Sequence, residues 1–144
     1  MRSPRLKQPR YATDISRMDE GRLRAVICDD DPVVRRVVAE LVRGCGFDIV
    51  GEAALALEAL RLAEMTEAHV LVLDLSLKGL SGNDAIPAIK SAAPGTAIVV
   101  YTAYDTMAEL ARQEGVVAVV LKDEPEKLEH ELRGVAAQHR YSTR

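Results

Sequence analysis

The sequence predicts a doubly wound α/β domain, a parallel sheet covered by helices on both faces. Three observations carry that prediction. Short runs of β-forming apolar residues alternate with segments of helical period five times along the chain. The connections are short, so successive strands are joined by helical crossovers, which are right-handed and build parallel sheets. The run AHVLVLDL is apolar almost throughout, the pattern of a strand buried on both faces.

The elements follow in order from Leu23. LRAVIC reads as the first strand. PVVRRVVAELVRGCG places apolar residues at Val33, Val37 and Leu41 and at Val34, Val38 and Val42, which is helical spacing, and both stripes are expected in the core. Asp31 suits the N-cap, Pro32 the first turn, and Gly44 or Gly46 the end. FDIVGEA is the second strand, ALEALRLAEMT the second helix and AHVLVLDL the third strand. SGNDAIPAIKSAAPG is a third helix closed by Pro94 and Gly95; Pro87 inside it is tolerable only in the first turn. TAIVVYTA is the fourth strand, and DTMAELARQEG a short fourth helix with Asp105 as its cap. VVAVVLK is the fifth strand. DEPEKLEHELRGVAAQ is the last helix, with Asp123 or Glu124 at its start and Leu128 and Leu132 facing inward.

Composition sets the limits. The 144 residues are 48% hydrophobic with a net charge of −3, so one ordinary globular domain is expected, with neither a nucleic-acid nor a membrane bias in bulk charge. With no Trp and a single Phe, a base-stacking platform is disfavoured. The two cysteines, Cys28 and Cys45, form no CxxC pattern and read as reduced thiols. No apolar run is long enough to span a bilayer, and a cytoplasmic protein is expected. Residues 1–22 read as a disordered basic tail, 23–138 as the domain and 139–144 as a C-terminal tail. MDEGRLRAVI leads straight into the first strand, so translation starting at Met18 is a simple account of the residues before it. His69, His130 and His139 are scattered without ligand spacing and read as surface or boundary residues.

In a doubly wound sheet, ligands bind outside the carboxyl ends of the strands, where strand order reverses. The first strand delivers Asp29, Asp30 and Asp31 there, the third Asp74, the fourth Thr102 and the fifth Lys122. Neighbouring carboxylates about 4 Å apart repel by roughly 4 kcal/mol at an effective dielectric of about 20, so the cluster asks for a cation. Oxygen-only ligation favours Mg²⁺ or Mn²⁺. A lysine and a hydroxyl beside the acids suit a phosphoryl group, and Asp74, alone at the end of the most buried strand, is the natural nucleophile. Each residue also has a plainer reading: Asp31 as a helix cap, Thr102 as a β-branched strand residue, Lys122 as a surface lysine. Their convergence on one sheet edge argues against the plainer set.

CDDDPVVRR, VLVLDLSLKGLSG, VVYTA and VVLKD, in this order and spacing, resemble the receiver domain of two-component response regulators, from about Leu23 to Ala137. The resemblance implies a flavodoxin-like five-stranded sheet of order 2-1-3-4-5. It implies Asp74 as phosphoacceptor and Asp29 and Asp30 as the acidic pair for Mg²⁺, with Ser76 adding its backbone carbonyl. Thr102 would be the switch hydroxyl and Lys122 the phosphoryl-pairing lysine. The LKD ending is similar to receivers joined to a helix-turn-helix effector. A sensor histidine kinase is the implied partner. A homodimer through the fourth helix, fifth strand and fifth helix is a second expectation, around Met107, Leu110, Val117, Asp123, Glu124 and Glu126. Direct nucleic-acid binding by this chain is not expected, nor is turnover catalysis beyond self-phosphorylation and self-dephosphorylation.

Two residues depart from the family pattern. Lys78 stands where a proline is usual, and Val119 where an aromatic usually reports the switch; Tyr104 is a candidate substitute. These keep open an alternative, a pseudo-receiver that binds partners without phosphorylation. A haloacid-dehalogenase-like hydrolase is disfavoured because Ser76 stands where its acid/base aspartate is required.

Overall fold

In the computed structural model the structure describes residues 22–75, 82–103 and 113–142. Its strands are β1 (Leu23–Cys28), β2 (Phe47–Ala53), β3 (Val70–Leu73), β4 (Ala97–Thr102) and β5 (Val116–Leu121). Its helices are α1 (Pro32–Gly44), α2 (Ala56–Thr66), α3 (Gly82–Ala92) and α4 (Pro125–Ser142). All strands are parallel, in the order β2-β1-β3-β4-β5. The short helix expected from Asp105 lies outside the described residues, as do Ser76, Lys78, Tyr104, Met107 and Leu110.

Alternation along β1 builds the two layers. Ala25 and Ile27 join Val38, Val42, Phe47, Leu128 and Leu132 on the side of α1 and α4. Val26 and Cys28 join Ala59, Ala63, Leu71, Leu73, Ile86 and Ile89 on the side of α2 and α3. Successive strand side chains point to opposite faces, so a strand covered on both sides is apolar throughout. β3 is: all its residues are buried. The chain passes from β1 to β2 on one side and then crosses to β3 on the other, so the strand order reverses between β1 and β3. A crevice at that reversal is where such sheets bind ligands.

The described residues depart from the sequence expectations at several points. Val33 and Val37 are exposed, at 62% and 51%, whereas Val38 and Val42 are buried and Val34 and Leu41 partly so. α1 touches the sheet along one stripe only, and a position one residue earlier is rotated about 100° towards solvent. Pro87 falls in the second turn of α3, not the first. It removes one intrahelical bond, and its ring stands on the exposed side of the helix. α4 continues to Ser142, beyond the expected end at Gln138. Arg22, assigned to the tail from sequence, is anchored by a 2.9 Å ion pair with Asp48. Gly46 ends α1 with φ of 99°, its N–H donating to the Arg43 carbonyl at 3.1 Å.

His69 and His139, far apart in sequence, meet edge to face with ring centroids 4.8 Å apart. His69 extends the β1–β3 ladder: its N–H donates to the Arg24 carbonyl (2.8 Å), and its Nδ1 accepts from the Arg24 N–H (2.9 Å). Burial, then the charges of Arg24 and His139, lower the His69 pKa from 6.5 to about 4. Between those values the unfolded chain binds more protons, so this histidine destabilises the fold as pH falls from about 6.5 towards 4. His69→Asn, which keeps an acceptor near the Nδ1 position without titrating, is expected to flatten the melting temperature between pH 7 and pH 5. Parallel wild-type and variant curves would remove His69 as the cause.

Candidate functional site

The site is built from the ends of β1, β3, β4 and β5. Asp29 follows β1, is 3% exposed, and is held at every polar group. Its N–H donates to the Ala53 carbonyl at 3.0 Å, and its Oδ1 accepts from the Asp31 N–H at 2.9 Å. Its Oδ2 lies 2.8 Å from Lys122 Nζ, and its carbonyl accepts from Arg35 Nη1 at 2.6 Å. Asp74 follows β3, is 2% exposed, and donates its N–H to the Cys28 carbonyl at 3.0 Å. Its Oδ2 accepts from Lys122 Nζ at 3.0 Å.

Asp30 stands exposed between these anchors. Asp31 is committed to capping α1, where its side chain accepts from the Val33 N–H at 2.9 Å. Of the aspartate triplet, then, Asp29 and Asp30 are left to face Asp74. One oxygen from each of Asp29, Asp30 and Asp74 lies within 4.8 Å of the other two. The set is oxygen-only and can hold a hard divalent cation. Lys122 already acts as a stand-in: its ammonium bridges Asp29 and Asp74. Burial alone would lower its pKa, but hydrogen bonds to Asp29 and Asp74, with their charges, outweigh burial and raise it. Burial first, then the Asp29 and Asp74 charges, push the neighbouring Cys28 thiol up to about 12, so it remains a packed, unreactive thiol.

Thr102 is fully buried at the end of β4, and its carbonyl accepts from the Lys122 N–H at 2.8 Å. Its Oγ1 finds no hydrogen-bond partner among the described residues. A buried hydroxyl without a partner costs about 1–3 kcal/mol. Thr102→Val is therefore expected to raise the melting temperature, by about 4 °C if 1 kcal/mol of that penalty is relieved. A lower melting temperature would mean the hydroxyl is already satisfied.

Two supporting residues were not singled out from sequence. Tyr101, 4% exposed, donates its hydroxyl to the Lys122 carbonyl at 3.1 Å, so both peptide groups of Lys122 are tied to β4. A tyrosine beside the strand-end threonine of an aromatic-poor chain was the available signal. Arg35, in the first turns of α1, holds the Asp29 carbonyl and pairs with Glu52 of β2 at 3.4 Å. Its signal, an arginine one helical turn after a capping aspartate, is too common to read alone. Val119, where the family pattern has an aromatic, is partly buried against the α2–α3 side of the sheet. Among the described residues no helix is long and apolar enough to cross a membrane.

The profile of the response regulator receiver domain matches residues 25–133. An uncharacterized transcriptional regulatory protein, YhcZ of Bacillus subtilis (strain 168), is 38% identical over 110 residues, 74% of this chain and 51% of that protein. The nitrate/nitrite response regulator protein NarP of Escherichia coli (strain K12) is 32% identical over 117 residues, 78% and 54% of the two chains. This chain thus spans about half the length of the curated relatives it matches. A two-component response regulator of the LuxR family from Aurantimonas sp. SI85-9A1 superposes with a TM-score of 0.72 at 30% identity, covering 81% of this chain and 86% of that one. Its strand order, its strand-end carboxylates and the span of the match agree: the chain belongs to the response regulator receiver domain family.

Proposed function

We propose that this receiver accepts a phosphoryl group on Asp74 and uses it to switch an interaction surface. The observation that carries the reading is the buried Asp29–Lys122–Asp74 bridge beside Asp30, three carboxylates facing one ammonium, a net-negative cluster that can hold a divalent cation and then take on a phosphoryl group. A carboxylate oxygen of Asp74 attacks phosphorus as the bond to the donor breaks, the P–N bond of a kinase phosphohistidine or the P–O bond of acetyl phosphate. The donor departs with the bonding electron pair. Lys122 stays near the transferred group and pairs with its oxygens, and the Thr102 hydroxyl, which has no hydrogen-bond partner among the described residues, supplies one to a phosphoryl oxygen. Asp29, Asp30 and Asp74, with the Ser76 carbonyl as the family pattern implies, would hold Mg²⁺ (or Mn²⁺). When bound, the ion offsets negative charge on the transferring phosphoryl oxygens. Phosphorylation then shifts an existing conformational equilibrium, and the role is regulatory.

A sensor histidine kinase is the donor this family implies, and the exposed Val33 and Val37 of α1 give it an apolar surface beside the acidic pair. For the output face, Val117 is half exposed and Asp123 and Glu126 are exposed, which supports association of two copies there. The reading is tested by intact mass after incubation with Mg²⁺ and acetyl phosphate. One added phosphoryl group is expected. No adduct, together with no effect of Mg²⁺ on melting, would replace this reading with the phosphorylation-independent interaction module.

A further inference from the structure

Arg35 is poorly explained by the helix that carries it. It is the fourth residue of α1, whose first turn holds no acidic residue, and a cation there opposes the positive end of the helix dipole. Its place is explained by what it reaches. From α1 the guanidinium turns back over the end of β1, where Nη1 donates to the Asp29 carbonyl at 2.6 Å. Nε lies 3.4 Å from Glu52 Oε1, on the neighbouring strand β2. One side chain thus braces α1, the end of β1 and β2, and it is largely shielded from water, at 23% exposed.

The Asp29 carbonyl belongs to the peptide that leads into Asp30. Asp29 is fixed by four separate contacts, whereas no hydrogen bond or ion pair holds the Asp30 carboxylate among the described residues. The position of Asp30 therefore depends on its backbone, and Arg35 is the side chain that fixes the plane of the preceding peptide. Its own charge works the other way, since a cation beside the acids opposes a dication. Any benefit to metal binding must come from geometry.

We propose that Arg35, clamped by Glu52, is a positioning residue that pre-organises Asp30 for a divalent cation. The proposal rests on the reading of Asp29, Asp30 and Asp74 as a Mg²⁺ site. Lysine keeps the charge but cannot hold the carbonyl and Glu52 at once, because it lacks the planar fork. Outer residues that orient metal ligands change affinity by about tenfold or more.

The test is calorimetric titration of the full chain with Mg²⁺, for wild type, Arg35→Lys, Glu52→Gln and Asp30→Asn. The metal-free melting temperature and the Mg²⁺ concentration giving half the maximal acetyl phosphate reaction rate are read alongside. Arg35→Lys is expected to bind Mg²⁺ about tenfold more weakly and to need correspondingly more Mg²⁺, with the maximal rate recovered at saturation. Glu52→Gln, which leaves the arginine in place, is expected to lie between Arg35→Lys and wild type. Wild-type Mg²⁺ affinity in both variants would overturn the proposal, as would a lower melting temperature at unchanged affinity, which marks a purely structural brace. Binding by the wild type and its loss in Asp30→Asn test the underlying site. Without wild-type binding the site reading falls, and the proposal with it; with it, the two variants decide the proposal alone.

Discussion

Replacing Asp74 by Asn is expected to abolish the phosphoryl adduct formed with acetyl phosphate and Mg²⁺, while the domain remains folded. The amide is neutral and a poor nucleophile, so the covalent step has no acceptor. Folding survives because the contact tying residue 74 to β1 is made by its backbone N–H, which donates to the Cys28 carbonyl and is unaffected by the substitution. Lys122 also keeps its 2.8 Å partner Asp29. Intact mass decides the matter: a single phosphoryl group on the wild type and none on Asp74→Asn is the expected pair. The same adduct on the variant would move the acceptor to another residue.

Lys122→Met is expected to have the largest effect on stability, with a size that depends on Mg²⁺. The ammonium compensates two carboxylates that are 3% and 2% exposed, and removing it leaves both buried beside each other. Breaking a buried ion pair from one side is strongly destabilising, and Lys122 itself is 22% exposed, which screens part of the effect. A loss on the order of 2–3 kcal/mol in metal-free buffer follows. In the wild type a dication must compete with the ammonium for Asp29 and Asp74. In the variant it meets no competitor and supplies the missing compensation. The melting temperature of Lys122→Met should therefore lie well below wild type without Mg²⁺ and rise further than wild type when Mg²⁺ is added. Equal metal-free melting temperatures would show that the bridge carries no net compensation.

Both predictions concern residues that are legible in the amino-acid sequence alone, and the reason is local. A charged residue ending an apolar strand marks the strand's carboxyl end, and parallel strands bring those ends to one edge. Alternation and order are therefore enough to place Asp29, Asp30, Asp74, Thr102 and Lys122 together. Asp31 separates from them because capping is also local, acting over two residues of chain. The supporting contacts are not legible in this way. Tyr101 reaches the Lys122 carbonyl across 21 residues, and Arg35 meets Glu52 only because α1 packs beside β2. Val33 and Val34 carry the same side chain at adjacent positions, yet one faces solvent and the other the core.

By itself the sequence determined the periods, the order of the elements and the residues at the strand ends, because these depend on side-chain spacing along one segment. Tertiary structure decided the rotation of α1, the meeting of His69 with His139, and the bonds that hold Lys122 and the Asp29–Asp30 peptide in place. Those depend on distances between segments far apart in the chain, which exist only once the sheet has set the spacing between strands and the helices have packed against it.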